Sequence, residues 1–214
     1  MSKPYTEDEL SNQIAEDRAW RIREISDLKS ATRRADINLR TVLLRAVVTL
    51  CYAHWEGSVR FAARKYFEHI ALRRLRFAEL DRQFLRNYFM PRLAALSRSN
   101  TSIVDRCNLV DQILNSGDER FGKVNDDLIN TQSNLNSFVV CDICLVCGVD
   151  SKYFHDESDF IDILLLKRRN AIAHGEETYI QAEDLDNITE KTIDLMRTFG
   201  DLIENNIFTK SYRS

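Results

Sequence analysis

Breakers are scarce in this chain. Only 6 glycines and 2 prolines occur in 214 residues, so there are few points where a helix must stop or a tight turn can form. A β-sandwich or barrel needs turn chemistry roughly every 8–12 residues, which this composition cannot supply. The chain is therefore expected to be all-α. Hydrophobic residues make up 44% and charged residues 29%, the balance of a globular protein with a real core. The longest apolar runs, such as residues 41–52, contain Arg45 and are too short to cross a bilayer. The opening Met1–Ser2–Lys3–Pro4 turns polar at once, unlike a secretory leader, so a cytoplasmic protein is expected.

Apolar spacing places the helices. A first is expected over Thr6–Ala31, capped by Thr6 and opening with Glu7, Asp8 and Glu9, as the helix dipole prefers. Its wide polar face suggests a peripheral position. A second runs from Asp36 toward Leu75, with Leu44, Val47, Cys51, Trp55, Val59, Ala63, Tyr66 and Ile70 at helical spacing and Gly57 as a candidate kink. A third covers Glu79–Ser97, with Pro91 as a candidate break, and a shorter one lies near Ser102–Leu114. Residues 115–133 read as a polar loop. Three more segments follow: Leu135–Cys147, stopped by Gly148; Phe160–His174, capped by Ser158 and stopped by Gly175; and Ala182–Phe208. No internal repeat is present. One domain over 1–214 is expected, built of a peripheral helix (1–33), a variable insertion (98–133) and a block carrying the chemistry (134–208).

Five cysteines, an odd number, do not suggest a disulfide framework. Cys141, Cys144 and Cys147 have the spacing of half a zinc site, but no second ligand pair follows and only His155 is near. Their apolar neighbours Val140, Ile143 and Val146 fit a buried helix, where cysteine acts as a small hydrophobe. No metal and no cofactor are expected. The net charge of −3 hides an uneven spread. Residues 60–98 hold ten basic side chains, Arg60 and Arg64 among them, against Glu68, Glu79 and Asp81. Interleaved with Phe61, Tyr66, Phe67, Phe77, Phe84 and Tyr88, this stretch reads either as a face for a phosphate backbone or as a solvated helix with a core-facing aromatic stripe.

The residues that carry chemistry lie in Arg169–Asn170–Ala171–Ile172–Ala173–His174–Gly175. Asn170 and His174 are four apart and share a helix face, and the long side chain of Arg169 can swing toward them. A base titrating near neutrality, a planar cation and a neutral amide would then converge. That set suits RNA cleavage by the RNA's own 2′-hydroxyl. The nucleophile comes tethered beside the phosphorus, so the protein need add only a proton acceptor and a clamp for phosphorane charge. Histidine serves the first need and the guanidinium the second. The bare pattern also fits a helix end whose Arg and His merely compensate the terminal carbonyls. Glu56 either orients Arg169 or His174 or forms an ordinary salt bridge. Trp55 reads as a core anchor, and His69 and His155 as surface or boundary residues.

The string from Ile163 to Gly175 closely resembles the signature helix of the HEPN superfamily, whose pattern is Arg, four to six residues, His, often with Asn directly after Arg. Tyr52–Ala53–His54–Trp55–Glu56–Gly57, followed by Ala62–Ala63–Arg64–Lys65–Tyr66, is similar to the small bacterial MAE-type HEPN-like nucleases. The resemblance covers most of residues 40–208. It implies an up-and-down helical bundle that dimerises and cuts RNA without metal, leaving a cyclic phosphate. Catalysis would fall on Arg169 and His174, supported by Asn170 and Glu56. The partners implied are RNA, a second copy completing the active site, and an antitoxin or defence-system protein. Some relatives are non-catalytic modules that bind a protein, nucleotide or RNA.

Overall fold

The computed structural model of the chain describes residues 3–96, 102–122, 126–131 and 134–214. Three long helices make its frame: α1 (Glu7–Arg34), α2 (Ile37–Arg73) and α8 (Asp184–Phe208). Thr6 starts α1 with a reciprocal cap, its hydroxyl accepting from the Glu9 N–H at 3.1 Å while the Glu9 carboxylate accepts from the Thr6 N–H at 2.9 Å. Asp36 opens α2 by accepting from the N–H groups of Asn38 and Leu39. At 37 residues, α2 is about 55 Å long and is the axis on which the rest is assembled. Between them α3 (Arg82–Leu96), α4 (Ile103–Asn115), α5 (Ser137–Cys147), α6 (Lys152–Asp156) and α7 (Arg168–Ala173) complete the bundle, and no strand forms among the described residues.

The core follows α2. Val48, Trp55, Val59, Ala63 and Tyr66 are sealed between Leu10, Ile14 and Ile25 of α1, Leu195, Phe199 and Ile203 of α8, and Ile143 and Cys144 of α5. Burying each large side chain contributes about 1.5–3 kcal/mol, far more than surface ion pairs such as Arg18–Asp201 that also link α1 to α8. Trp55 stacks on Phe154 of α6 at 5.7 Å between ring centroids. The aromatic stripe of residues 66–84 faces inward: Tyr66, Phe67, Phe77 and Phe84 pack on one another and on Phe121. Those rings are therefore core, not a stacking surface for bases.

Several expectations need correction. The first helix is no peripheral addition, because α1 lies along both α2 and α8 and even buries charge: Arg21 grips Asp17 at 2.7 and 2.9 Å and reaches His54 Nδ1 at 3.4 Å. Gly57 does not kink α2. Its missing side chain makes room for that guanidinium, since a Cβ there would sit 2.6 Å from Arg21 NH1. Pro91 does not break α3, which runs through it. His69 is wholly buried; its Nδ1–H donates to the Pro4 carbonyl at 2.9 Å, and its Nε2 accepts from Arg73 at 2.8 Å. Residues 115–133 are not all loop, since Ser116–Asp118 and Asp126–Ile129 form 3₁₀ turns. Parts of that stretch, with Ser97 and Arg98, lie outside the described residues.

Cys144 and Cys147 are buried on α5, and burial pushes the Cys144 thiol up to about 12 and raises the Cys147 thiol as well. Among the described residues no three His, Cys, Asp or Glu side chains converge as metal ligands, and no helix is long and apolar enough to cross a membrane.

Candidate active site

Helix α7 is reached through an unusual backbone. Residues Phe160–Lys167 wind as a π-helix, with i→i+5 bonding, before the chain tightens to α at Arg168. The cap expected at Ser158 is absent, because Ser158 is already helical and the Glu157 carbonyl accepts from the Ile161 N–H at 3.0 Å. Phe160, Ile161 and Leu165 hold the stretch in the core, and Asp162 ties it to α5 by accepting from the N–H and the hydroxyl of Ser137, each at 2.6 Å.

Helix α7 ends in a Schellman turn. Gly175, at φ 77, donates to the Ile172 carbonyl and Glu176 donates to the Ala171 carbonyl at 2.9 Å. This leaves His174 as the last residue before the reversal, exposed, with its N–H on the Asn170 carbonyl. The glycine thus sets where the histidine stands.

The basic run Lys167–Arg168–Arg169 is divided by direction. Arg168 turns to α8 and donates to Asp184 at 3.0 Å. Arg169 turns to α2. Its guanidinium carbon lies 4.0 Å from the centroid of the Tyr52 ring, NH1 donates to Asn170 Oδ1 at 2.7 Å, and NH2 stands 3.8 Å from a Glu56 carboxylate oxygen. Tyr52 and Glu56 are one turn apart on α2 and so meet α7 together. Each is held in turn: the Thr131 hydroxyl donates to Glu56, and the Leu135 N–H donates to the Tyr52 hydroxyl at 2.6 Å. Burial, reinforced by the Glu56 charge, pushes the Tyr52 phenol up to about 12, so it stays neutral beneath the cation.

Asn170 joins the two halves. Its oxygen accepts from Arg169, its nitrogen faces Asn134 at 3.4 Å, and with His174 it lines a cleft of about 370 Å³ that also includes Asp162, Leu166, Lys167, Ala171 and Glu176. Of the four residues expected at the site, the fold brings Arg169, Asn170 and Glu56 into direct contact and sets His174 beside Asn170 in the cleft. It does not swing Arg169 into that cleft; the guanidinium sits on the α2 side. Tyr52, Thr131 and Asn134 were not foreseen as site residues. Tyr52 alone left a signal, its four-residue spacing from Glu56. The other two come from a polar segment with no periodicity.

Chemically the arrangement offers an exposed imidazole, a half-buried guanidinium braced by an aromatic face and a carboxylate, and an amide between them. The profile described as RiboL-PSP-HEPN matches residues 16–205, and the chain belongs to that family. The match takes in most of α1 and the segment 98–133, for which the sequence alone suggested no relative. No curated protein and no solved structure gives a significant match. Membership points to a nuclease or RNA-related role.

Proposed function

We propose that the protein is a metal-independent endoribonuclease. His174 accepts the proton of an RNA 2′-hydroxyl, the oxygen attacks the adjacent phosphorus, and the P–O5′ bond breaks. The products are a 2′,3′-cyclic phosphate and a 5′-hydroxyl end. Arg169 meets the nonbridging oxygens as charge grows on them, and Asn170 fixes the edge it presents. The observation that carries this reading is Asn170 itself, bonded to Arg169 at 2.7 Å and sharing a cleft with His174. The Glu56 contact is compatible with it. At 3.8 Å it is longer than the 2.7–2.9 Å of a tight charged pair, so a phosphate can compete for the guanidinium. Departure of the 5′-oxygen benefits from an acid, and a two-fold dimer with α7 facing α7 would supply a second His174 for that role. A bacterial toxin–antitoxin or phage-defence setting, with an inhibitory or sensor partner in the cytoplasm, fits such a nuclease.

A second reading has one observation in its favour. Arg169 is turned inward onto Tyr52 and Glu56, as a structural arginine would be, which suits a non-catalytic HEPN module that binds a protein, nucleotide or RNA. Incubation with total RNA in excess chelator decides between them. The nuclease reading expects cutting that persists in chelator and vanishes in His174→Ala. Cutting that needs an added divalent ion, or that survives in His174→Ala, would remove the mechanism. Intact RNA under all conditions would favour the binding module.

A further inference from the structure

One face of α2 continues past the candidate active site. Tyr52, Glu56, Arg60 and Arg64 are each four residues apart, so they form a single stripe that climbs about 6 Å per step. The first two hold Arg169. The next two are exposed and line a second cleft, of about 270 Å³, with Asp127, Ile129 and Asn130. The chain that closes this cleft then passes the active site: Asn130 lines the cleft, Thr131 donates to Glu56, Asn134 faces Asn170, and Leu135 donates to Tyr52. The second cleft and the Arg169 guanidinium therefore lie along one polar line on α2, and the His174 cleft adjoins that line through Asn170.

Charge changes along that line. Glu56 sits within reach of Arg169, whereas Arg60 makes no ion pair among the described residues and Arg64 has Glu68 at 3.3 Å. Among the described residues that line it, the second cleft has two guanidiniums and one carboxylate, Asp127. The spacing of the stripe is close to one nucleotide step of a single strand.

We propose that Arg60 and Arg64 form a phosphate subsite for single-stranded RNA, holding the backbone one and two nucleotides away from the scissile phosphate. This rests on the nuclease reading for which phosphate is cut, but the subsite is a matter of binding and is tested separately. It gives the protein length preference without base readout, because guanidiniums on phosphate oxygens carry no sequence information. Asp127 opposes the subsite and limits how tightly it holds the strand.

The test uses the full chain carrying His174→Ala and a fluorescent twelve-residue oligouridylate, with affinity read by anisotropy over a range of salt. Arg60→Ala with Arg64→Ala should weaken binding about ten-fold for each arginine removed, the loss expected for charge-assisted contacts. The salt dependence should become shallower by about 0.7 in slope for each phosphate released. Asp127→Asn should tighten binding. In the protein with His174 intact, the double arginine variant should raise KM for the twelve-mer and leave kcat/KM for a dinucleotide unchanged. Unchanged affinity in the double variant would overturn the subsite, as would an equal loss in Arg197→Ala, an exposed arginine on α8. A dinucleotide affected as strongly as the twelve-mer would also overturn it, placing these arginines at the scissile phosphate instead. A twelve-mer bound through Arg60 and Arg64 but never cut would leave the subsite standing and remove the nuclease. Cutting indifferent to both arginines would do the reverse.

Discussion

Arg169→Lys keeps the charge and removes the shape, which makes it a sharp probe of the site. The guanidinium uses separate edges and its face at once: NH1 on Asn170 at 2.7 Å, NH2 toward Glu56 at 3.8 Å, and the plane over Tyr52 at 4.0 Å. An ammonium is a compact point donor and cannot serve the two edges together. Losing the hydrogen bond to Asn170 costs about 1.5–3 kcal/mol at most, and the stacking over Tyr52, worth about 0.5–1 kcal/mol, is only partly kept. A net loss of about 2 kcal/mol corresponds to a fall in Tm of roughly 4–8 °C for a chain of this size. Turnover should suffer more, because removing one positioned donor to a developing oxyanion lowers kcat by about 10²–10³. Arg169→Ala should be less stable still, since it leaves the buried Glu56 carboxylate without its cation, with the Thr131 and Tyr52 hydroxyls for support. Adding Glu56→Gln to Arg169→Ala should then recover much of the loss. Thermal unfolding followed by far-ultraviolet circular dichroism and oligonucleotide cleavage in chelator give the two readouts. An Arg169→Lys protein with wild-type turnover would refute the phosphate clamp. An Arg169→Ala protein as stable as wild type would refute the described anchoring.

Mixing an excess of His174→Ala subunits with wild type under exchange conditions should depress activity well below the wild-type fraction, if two copies complete one site. Activity that simply tracks the amount of wild-type chain would show that each copy works alone. Burial lowers the pKa of His54, helped by Arg21 and opposed by Glu24 and Asp17; burial also lowers that of His69, with Arg73 adding to it and the Pro4 carbonyl and Glu7 opposing. The folded state then binds fewer protons than the unfolded one, so stability is full above about pH 6.5 and declines as pH falls below it. His69→Gln should flatten that decline in a Tm–pH series, and an unaltered slope would exclude His69 as a contributor. Gly57→Ala, a change that usually stabilises a helix, should cost about 1–3 kcal/mol here because its Cβ meets a guanidinium pinned on Asp17. A higher Tm for that variant would show that α1 yields freely.

The fold was legible because its signals are local and repeated. The capping box at Thr6, the stripe from Leu44 to Ile70 and the glycine stops at 148 and 175 each state a helix boundary or face within a few residues. What escaped was non-local. The polar face of α1 looks solvent-directed until Arg21 meets the gap left by Gly57, 36 residues further on. His69 looks like a boundary residue until the Pro4 carbonyl arrives to accept its proton. At the site, Arg169, Asn170 and His174 share one helix and could be read together. The partners Thr131 and Asn134 lie in a segment whose position depends on the whole bundle.

The π-helical stretch at Phe160–Lys167 bears on how the gene for such a chain can vary. A π turn accommodates one more residue than an α turn, so the stretch carries inserted length that the flanking helix does not advertise. Removing a single codon there would let the segment relax to α geometry with the facing of the helix beyond it kept, whereas a codon lost from an α-helical stretch turns everything downstream by about 100°. Arg169 would stay on Tyr52 and Glu56, and Arg168 on Asp184. Substitutions at an outward position such as Ile163 meet no packed neighbour either. Drift by point change and loss of the one inserted residue are therefore both open to this stretch, so its length should vary more readily than that of the α-helices around it.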